Sequence, residues 1–374
     1  MKHTPYYLNK PDNILPKGLT NSVFRSSDPL AYHQSLKNYT VTPLLKLNEL
    51  AKYFGVKKIF VKDESYRFGL NAFKGLGASF AISKILEKDP DIETFCSATD
   101  GNHGRAVAWS AKLFGKKSRI FVPKDTTRAR ILAIENEGAV VEKVDADYDE
   151  TCEFAKEMSR KNGWQLVQDT ASAHYAEIPA YIMAGYFTHF MELEDSIHTL
   201  PKPKIDIVFL QAGVGSWPAA AAWYYLNRYG VNRPKIVLVE PIEAAGILAS
   251  FKKGKRTKPE GNFKTIMAGL NCGIPSLTAW DILKDSTDAA MAIEDSFTKQ
   301  AIRELYYPTG DDKRIISGES GAGGLAGFIA LMTDPRFRNL KEALNITAES
   351  RVLFYSTEGD TDPENFKNII RKKK

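Results

Sequence analysis

Cysteine is scarce in this chain, which has only Cys96, Cys152 and Cys272 among its 374 residues. None stands in a Cys-x-x-Cys pair or near a histidine at ligand spacing, so the sequence predicts no metal site. A small, odd number of cysteines in a chain this long indicates buried thiols in a reducing compartment. No stretch approaches the ~20 apolar residues of a membrane span, and the N-terminal segment lacks the apolar core of a signal peptide. We therefore expect a cytoplasmic protein that does not bind membranes.

An excess of one charge is also lacking, because 51 basic and 45 acidic residues give a net charge of only +6. The basic residues are scattered, and the one run, at residues 371–374, is typical of a solvated chain end. We expect no nucleic-acid partner. Of the 374 residues, 43% are hydrophobic, which is enough for a large core. The chain is also longer than the ~250–300 residues at which a single core usually divides into domains. Two domains are the expectation.

Short β-branched runs alternate with longer helical patterns after an N-terminal stretch of about 40 polar, proline-bearing residues, which we expect to be irregular. The predicted strands cover residues 58–61, 94–97, 119–122, 140–144, 165–168, 205–210, 235–239 and 352–355. A helix is predicted over 104–114 and ends at Gly115. Strands that alternate with helices favour an α/β fold with mostly parallel sheets.

Ligands of open α/β sheets bind beyond the carboxyl ends of the strands, and the loop after the first predicted strand carries Lys74. Its neighbours Phe73 and Leu76 are apolar, so partial burial of the amine is expected. Burial lowers the pKa of a lysine, and a neutral amine condenses with an aldehyde. A lysine that extends to solvent along an apolar surface is the alternative interpretation.

The second loop, 96–106, contains Thr99, Asp100, Gly101, Asn102 and His103 at the start of a helix. Helix N-termini hold anions such as carboxylates, and Asn102 can donate a hydrogen bond to a phenolate-type oxygen. His103 is either a base or a structural residue. Asp100 is unexpected in an anion-binding turn, where it either reacts or caps the helix.

Two further loops have unusual chemistry. After the strand at 205–210, Gly213, Val214, Gly215 and Ser216 open an alanine-rich helix, a pattern typical of backbone N–H groups that hold one phosphate. A third glycine is missing, which argues against a dinucleotide site and a nucleotide-dependent dehydrogenase. After the last strand, Ser356 and Thr357 offer hydroxyls to a heterocyclic nitrogen, or form an ordinary polar turn.

The order of these motifs, Phe-Lys, Gly-Asn-His-Gly, Gly-Val-Gly-Ser and Ser-x-x-Gly-Asp, resembles the fold type II pyridoxal-phosphate family, the tryptophan-synthase-β and serine/threonine dehydratase group. The resemblance runs from about residue 40 to the end. Within that group the chain is most similar to the diaminopropionate ammonia-lyases, through KDESYRFGLNAFK, ATDGNHGR, QDTA, QAGVG, IMAGLNCG, IISGESGA and STEGDTD. The resemblance implies a two-domain, three-layer α/β fold with pyridoxal 5'-phosphate between the domains.

The resemblance also implies roles for individual residues. Lys74 matches the lysine that carries the cofactor as a Schiff base, and Phe73 its preceding aromatic. Asn102 matches the residue that donates a hydrogen bond to the cofactor's 3-oxygen, and residues 213–216 match the phosphate loop. Ser356 matches the hydroxyl that faces the pyridine nitrogen, with Thr357 as the alternative. Thr99, Asp100, Gly101 and His103 are expected at the substrate.

The implied reaction is α,β-elimination of 2,3-diaminopropionate to pyruvate and ammonia, with Lys74, Asp100 and Asp169 as catalytic groups. Dehydratases usually have Ser or Thr where this chain has Asp100, which would repel a substrate carboxylate and attract a second amino group. Asp169 is the acidic candidate near the distal amine, or else a turn residue. A serine/threonine dehydratase of the same fold, or a relative without catalysis, are the alternatives.

The resemblance further implies a large domain of residues 1–87 and 171–374 and a smaller inserted domain of 88–170, each boundary within about ten residues. A homodimer is expected because the family that the chain resembles is usually dimeric. The role of Gly318–Gly321 stays open between a cofactor-facing turn and the start of the next helix.

Overall fold

The computed structural model describes residues 4–99, 101–198 and 205–371. Asp100 lies outside the described residues. The strands are β1 (Tyr6–Leu8), β2 (Leu44–Lys46), β3 (Lys58–Asp63), β4 (Thr94–Ala98), β5 (Lys117–Pro123), β6 (Val140–Val144), β7 (Gln165–Leu166), β8 (Ile207–Gln211), β9 (Lys235–Pro241), β10 (Ala289–Ile293) and β11 (Arg351–Ser356). The α-helices are α1 (Leu19–Ser26), α2 (Pro29–Gln34), α3 (Asn48–Phe54), α4 (Lys74–Lys88), α5 (Asn102–Leu113), α6 (Arg128–Glu135), α7 (Tyr148–Asn162), α8 (Glu177–Gly185), α9 (Phe187–His198), α10 (Ser216–Tyr229), α11 (Gly246–Lys253), α12 (Leu277–Ser286), α13 (Asp295–Tyr306), α14 (Gly323–Thr333), α15 (Arg338–Leu344) and α16 (Pro363–Arg371).

Two sheets organise these elements. The larger sheet has the order β1-β10-β9-β8-β11-β3-β2, and the smaller has the order β6-β5-β4-β7. Pairing is parallel throughout the smaller sheet and in the larger sheet from β10 to β3, whereas the edge strands β1 and β2 run antiparallel. The α/β fold with mostly parallel sheets is confirmed.

The larger sheet is the middle layer between two apolar cores. Along β8, Val208 and Leu210 belong to one core, and Ile207 and Phe209 to the other. Successive side chains of a strand point to opposite faces, so a strand buried on both sides is apolar throughout its length. This sandwich of helices, sheet and helices is the three-layer arrangement that the resemblance implied.

Every predicted strand is present, and the strands that the sequence did not reveal are short or alanine-rich. β1 and β2 have three residues each at the sheet edges, and β10 reads Ala-Ala-Met-Ala-Ile. The prediction of an irregular N-terminal stretch is wrong, because α1 and α2 form there. The start of α2 was legible in the sequence, since Asp28 accepts a hydrogen bond from Ala31 N and Pro29 occupies the first turn.

The strands of the smaller sheet all fall between residues 94 and 166. They lie inside the stretch 88–170 that the sequence assigns to a smaller domain, a division that stays a prediction. No helix in the described ranges combines the length and the apolar character needed to cross a bilayer. Nor do those ranges contain a group of His, Cys, Asp or Glu side chains suited to a metal ion.

Candidate active site

A cavity lies where several loops meet at the carboxyl ends of the parallel strands. Most of the residues that the sequence analysis singled out contribute to its wall. They are Phe73, Lys74, Thr99, Asn102, His103, Asp169, Gly213, Val214, Gly215, Ser216 and Thr357. Ser356 and Gly101 are not among the lining residues. The fold therefore brings together four loops that are far apart in the sequence.

Lys74 is the first residue of α4, and its segment is held against the turn after β11, since Phe73 N donates to Thr357 O at 3.1 Å. Its ammonium donates to Asp169 Oδ2 at 2.6 Å. Burial lowers the pKa of Lys74, but the Asp169 carboxylate outweighs it, and the pKa is raised above its usual value. The expectation of a lowered lysine pKa is wrong because a buried carboxylate lies beside the amine.

Asp169 is 4% exposed and is held by several contacts. Burial raises the pKa of its carboxyl, whereas the Lys74 ammonium is the strongest influence that lowers it, and the net pKa is about 2. Ser216 Oγ donates to Asp169 O at 2.6 Å, which fixes the backbone of this residue to the start of α10. Asp169 is thus an ionised carboxylate at neutral pH, directed at the lysine.

His103 is a second neighbour of Asp169 Oδ2, the oxygen that accepts from Lys74. Its Nε2 is 2.9 Å from Val167 O, an acceptor, so Nε2 carries the proton. Burial lowers the pKa of His103, which favours the neutral ring with an unprotonated Nδ1. That Nδ1 is buried without a hydrogen-bond partner and lies 3.9 Å from Asp169 Oδ2. His103 therefore presents a lone pair to the centre of the site.

The turn at the start of α5 is shaped by Thr99. Its Oγ1 accepts hydrogen bonds from Gly101 N at 2.9 Å and Gly104 N at 3.1 Å. The hydroxyl satisfies N–H groups at the beginning of the helix, as a cap does. Asn102 follows with its side-chain amide at the cavity wall.

The glycine turn between β8 and α10 approaches other segments closely. A Cβ on Gly213 would lie 3.1 Å from Cys272 Sγ and 3.2 Å from Gly269 O. Gly215 has φ +92° and precedes the first residue of α10, a helix of 14 residues. Backbone N–H groups at such a turn, together with the positive end of the helix dipole, bind a phosphate.

The turn after β11 separates its two hydroxyls. Ser356 Oγ donates to Ser317 Oγ at 2.9 Å, away from the cavity, whereas Thr357 lines the wall and accepts from Gln211 Nε2 at 2.8 Å. Gly318–Gly321 packs on this turn, since a Cβ on Gly321 would lie 2.3 Å from Glu358 O. Ser320 reaches the cavity, and α14 begins only at Gly323, so this segment is a cavity-facing turn that precedes the helix.

Several lining residues were missed by the sequence analysis, namely Tyr148, Gln211, Cys272 and Glu358. Gln211 had a signal, because it is a polar residue at the end of an otherwise apolar strand, immediately before a glycine turn. Glu358 stood between the hydroxyl pair and a glycine and was interpreted as part of the turn. Nothing in their local sequence distinguishes the others.

The cavity residues fit a phosphorylated aldehyde cofactor. Lys74 supplies a primary amine, Asn102 supplies an amide donor and Thr357 supplies a hydroxyl. The Gly213–Gly215 turn lies too close to neighbouring segments for a Cβ, which suits a turn whose backbone N–H groups contact a phosphate. His103 Nδ1 adds a buried acceptor without a partner. Amine, phosphate cradle and ring contacts thus converge on one cavity.

Comparison with known proteins agrees with this chemistry. The family model described as pyridoxal-phosphate dependent enzyme matches residues 36–356. The diaminopropionate ammonia-lyase of Escherichia coli (strain K12) is 40% identical, with 96% of this chain and 95% of that protein covered. The Salmonella typhimurium diaminopropionate ammonia-lyase is 38% identical, with 91% and 90% covered.

Solved structures give the same relationship. The crystal structure of the E. coli enzyme in complex with an aminoacrylate-PLP azomethine reaction intermediate has a TM-score of 0.90 and 37% identity, and covers 98% of this chain and 96% of its own. A tomato threonine deaminase shares the fold, with a TM-score of 0.77 at 22% identity, 98% of this chain and 97% of its own chain being covered. The chain belongs to the pyridoxal-phosphate-dependent enzyme family and, within it, to the diaminopropionate ammonia-lyases.

Proposed function

We propose that this chain catalyses the pyridoxal-phosphate-dependent α,β-elimination of 2,3-diaminopropionate to pyruvate and ammonia. The observation that carries the proposal is the contact between Lys74 Nζ and Asp169 Oδ2, 2.6 Å long, inside the cavity. It joins the amine that the cofactor needs to a carboxylate suited to a second substrate amine. The relatives at 38–40% identity carry the same activity in their names.

Lys74 would hold the cofactor, Asn102 would donate to its 3-oxygen, the Gly213–Ser216 turn would bind its phosphate, and Thr357 or Ser356 would face the pyridine nitrogen. Thr357 is the better supported of the two, because it lines the cavity and Ser356 does not. When bound, the cofactor supplies an electron sink for the negative charge that develops at the substrate Cα.

The protein's own groups would move the protons. Lys74, once released from the cofactor, is the base for one face of Cα. Asp169, whose pKa is about 2, keeps its negative charge at neutral pH. A nearby negative charge favours the protonated form of the substrate's distal amine, and a protonated amine leaves more readily.

Asp100 is proposed as the base for the opposite face of Cα, which would let both stereoisomers react. Asp100→Asn should reduce turnover of one stereoisomer far more than that of the other, measured as pyruvate from D- and L-2,3-diaminopropionate. Equal losses for both would contradict a two-face mechanism.

A serine or threonine dehydratase is the second candidate, since a Schizosaccharomyces pombe serine racemase and threonine dehydratases match the chain at 25–28% identity. These matches are more distant than those to the ammonia-lyases. A panel of D- and L-diaminopropionate, serine and threonine at equal concentrations separates the two. Preference for a hydroxy amino acid would favour the dehydratase.

The first test is the absorbance spectrum of the purified protein, followed by pyruvate release from diaminopropionate. A band near ~410–420 nm with rapid pyruvate release supports both cofactor and reaction. A band without pyruvate release would contradict diaminopropionate as the substrate. The absence of a band after addition of pyridoxal phosphate would contradict the cofactor assignment.

We also propose that the protein acts in the cytoplasm as a homodimer. The support is the family resemblance and a composition without disulfide or membrane signals. Sedimentation equilibrium of the cofactor-loaded protein measures the assembly, and a monomer at micromolar concentration would contradict the dimer.

A further inference from the structure

The turn after β11 places a second buried carboxylate on the cavity wall, and none of the roles above uses it. Glu358 is 2% exposed and lines the cavity close to Asn102. A carboxylate taken out of water needs donors on its oxygens, or its burial is strongly unfavourable. Its hydrogen bonds therefore indicate what it does.

The two oxygens of Glu358 have different donors. Oε1 accepts from Ser320 N at 2.9 Å. Oε2 accepts from Asn102 Nδ2 and, at 3.3 Å, from Thr361 Oγ1. These donors are neutral N–H and O–H groups, so the carboxylate serves to orient them.

The contact with Asn102 determines which way that amide points. An asparagine amide can present its NH₂ or its carbonyl to a neighbour, and the two differ by a half-turn. An ionised carboxylate only accepts hydrogen bonds, so it selects the orientation in which Nδ2 faces Glu358. The second hydrogen on Nδ2 is then available to another acceptor in the cavity.

Glu358 is itself fixed by the backbone around it. Gly318 N donates to Glu358 O, and Gly359 N donates to Asn71 O, both at 2.9 Å. Asn102, by contrast, opens α5 next to the smaller sheet, and the two residues are separated by 256 positions in the chain. The contact thus connects a helix of the smaller sheet to the centre of the larger one.

We propose that Glu358 is a positioning residue that holds the Asn102 amide with an N–H directed at the 3-oxygen of the cofactor. The proposal rests on the cofactor and the Asn102 role given under the proposed function. It goes beyond them because it assigns the orientation of Asn102 to Glu358, a residue in the turn that follows β11 of the larger sheet.

Glu358→Gln is the informative substitution because it keeps the shape and removes one acceptor. Glutamine has a single acceptor oxygen, whereas Ser320 N and Asn102 Nδ2 bond to different oxygens of Glu358. The backbone N–H of Ser320 cannot turn, so the glutamine oxygen stays with Ser320 N and the new NH₂ faces Asn102. Asn102 relieves the conflict by turning its carbonyl toward that NH₂. Asn102 then loses its N–H contact with the cofactor oxygen.

The expected result is a cofactor dissociation constant about tenfold higher in Glu358→Gln, the ratio for one lost hydrogen bond to a charged group. The absorbance maximum of the bound cofactor should shift as well, as it should in Asn102→Ala. Thr361→Val, which removes the longest of the three hydrogen bonds and keeps the carboxylate, is the matched control, expected within twofold of the wild type.

A double-mutant cycle tests whether the effect passes through Asn102. In the Asn102→Ala background, Glu358→Gln should change neither the dissociation constant nor the spectrum further. Additive effects, or wild-type cofactor affinity in Glu358→Gln, would overturn the proposal. Far-UV circular dichroism and thermal unfolding of the cofactor-free variants show that each has folded.

The outcomes also separate this inference from the proposed reaction. A wild-type protein that releases pyruvate but shows no coupling between Glu358 and Asn102 overturns the positioning role alone. Coupling in a wild-type protein that releases no pyruvate supports the positioning role and contradicts the reaction.

Discussion

Replacing Asp169 with asparagine should destabilise the cofactor-free protein, because it removes the carboxylate that pairs with the partly buried ammonium of Lys74. The pair is 2.6 Å long, and the two side chains are 21% and 6% exposed. Removing one partner of a fully buried ion pair typically costs about 3–5 kcal/mol, and the partial exposure of Lys74 reduces that cost.

The pKa of Asp169 gives an independent magnitude. It falls from 3.8 to about 2, which corresponds to about 2 kcal/mol in favour of the folded state. Because the folded pKa is the lower one, this stabilisation is present above pH 3.8 and is lost as the pH falls through about 2. Together these considerations predict that Asp169→Asn lowers the free energy of unfolding by about 2–4 kcal/mol at pH 7.

The loss should depend on pH in a defined direction. Burial is the strongest influence on the Lys74 amine and lowers its pKa, so we expect the pKa to fall below the usual 10.5 when Asp169 is removed. The cost of the unpaired ammonium is then present at pH 7 and disappears as the pH rises toward 10.5. The gap between wild type and variant should therefore narrow between pH 7 and pH 10.

The measurement is urea unfolding of both cofactor-free proteins at the two pH values, analysed by linear extrapolation. Asp91→Asn is the matched control, since Asp91 is exposed and such a substitution usually changes stability by less than ~0.5 kcal/mol. A loss below ~1 kcal/mol at pH 7, or a gap that is the same at pH 10, would refute the reasoning.

Three further predictions concern the cofactor. Lys74→Ala should abolish the ~410–420 nm band of the lysine-bound cofactor; a retained band would contradict the assignment of Lys74. Gly215→Ala should weaken binding of inorganic phosphate and cost about 1–2 kcal/mol in urea unfolding, because φ is +92° and the new Cβ would lie 3.1 Å from Ile247 Cδ1; unchanged phosphate affinity would argue against the loop. Loading of cofactor onto the wild-type protein, followed by absorbance, should accelerate as pH rises from 7 to 9, since the raised pKa of Lys74 keeps most of the amine protonated; a rate independent of pH would contradict that charge state.

The sequence revealed the central strands because parallel strands buried on both faces are continuous apolar runs. Lys235–Pro241 and Ile207–Gln211 are of this kind. The edge strand Tyr6–Leu8 has only three residues and is too short to form such an apolar run. α1 and α2 were missed because polar, proline-bearing sequence was interpreted as irregular, although their stability comes from packing of a few side chains such as Phe24.

The site could be predicted as a set of loops but not as a set of contacts. Lys74 was evident from its loop, whereas the sign of its pKa change was not, because Asp169 is 95 positions away. Glu358 illustrates the same limit, since its importance comes from a contact with Asn102 that no local pattern encodes. Charge state and orientation depend on tertiary neighbours, and those are fixed only when the sheets assemble.

A buried charge network, formed by the segment that precedes Lys74 and by α9, is the strongest case of this dependence. Lys62, Glu64, Arg67 and Glu192 are all at most 2% exposed and bond to one another, although charged residues are rarely fully buried.

The network reaches the active site through one histidine. Trp217 Nε1 donates to His189 Nε2 at 3.0 Å, so the proton of the neutral ring is on Nδ1, which lies 3.6 Å from Glu64 Oε2. Trp217 and Phe73 both line the cavity and contact each other and His189. His189 Nδ1 makes no hydrogen bond within the described residues, so the network contacts the aromatic wall beside Lys74 by packing and through the 3.6 Å approach of Glu64. The aromatic wall beside Lys74 thus packs against charged residues that do not themselves line the cavity.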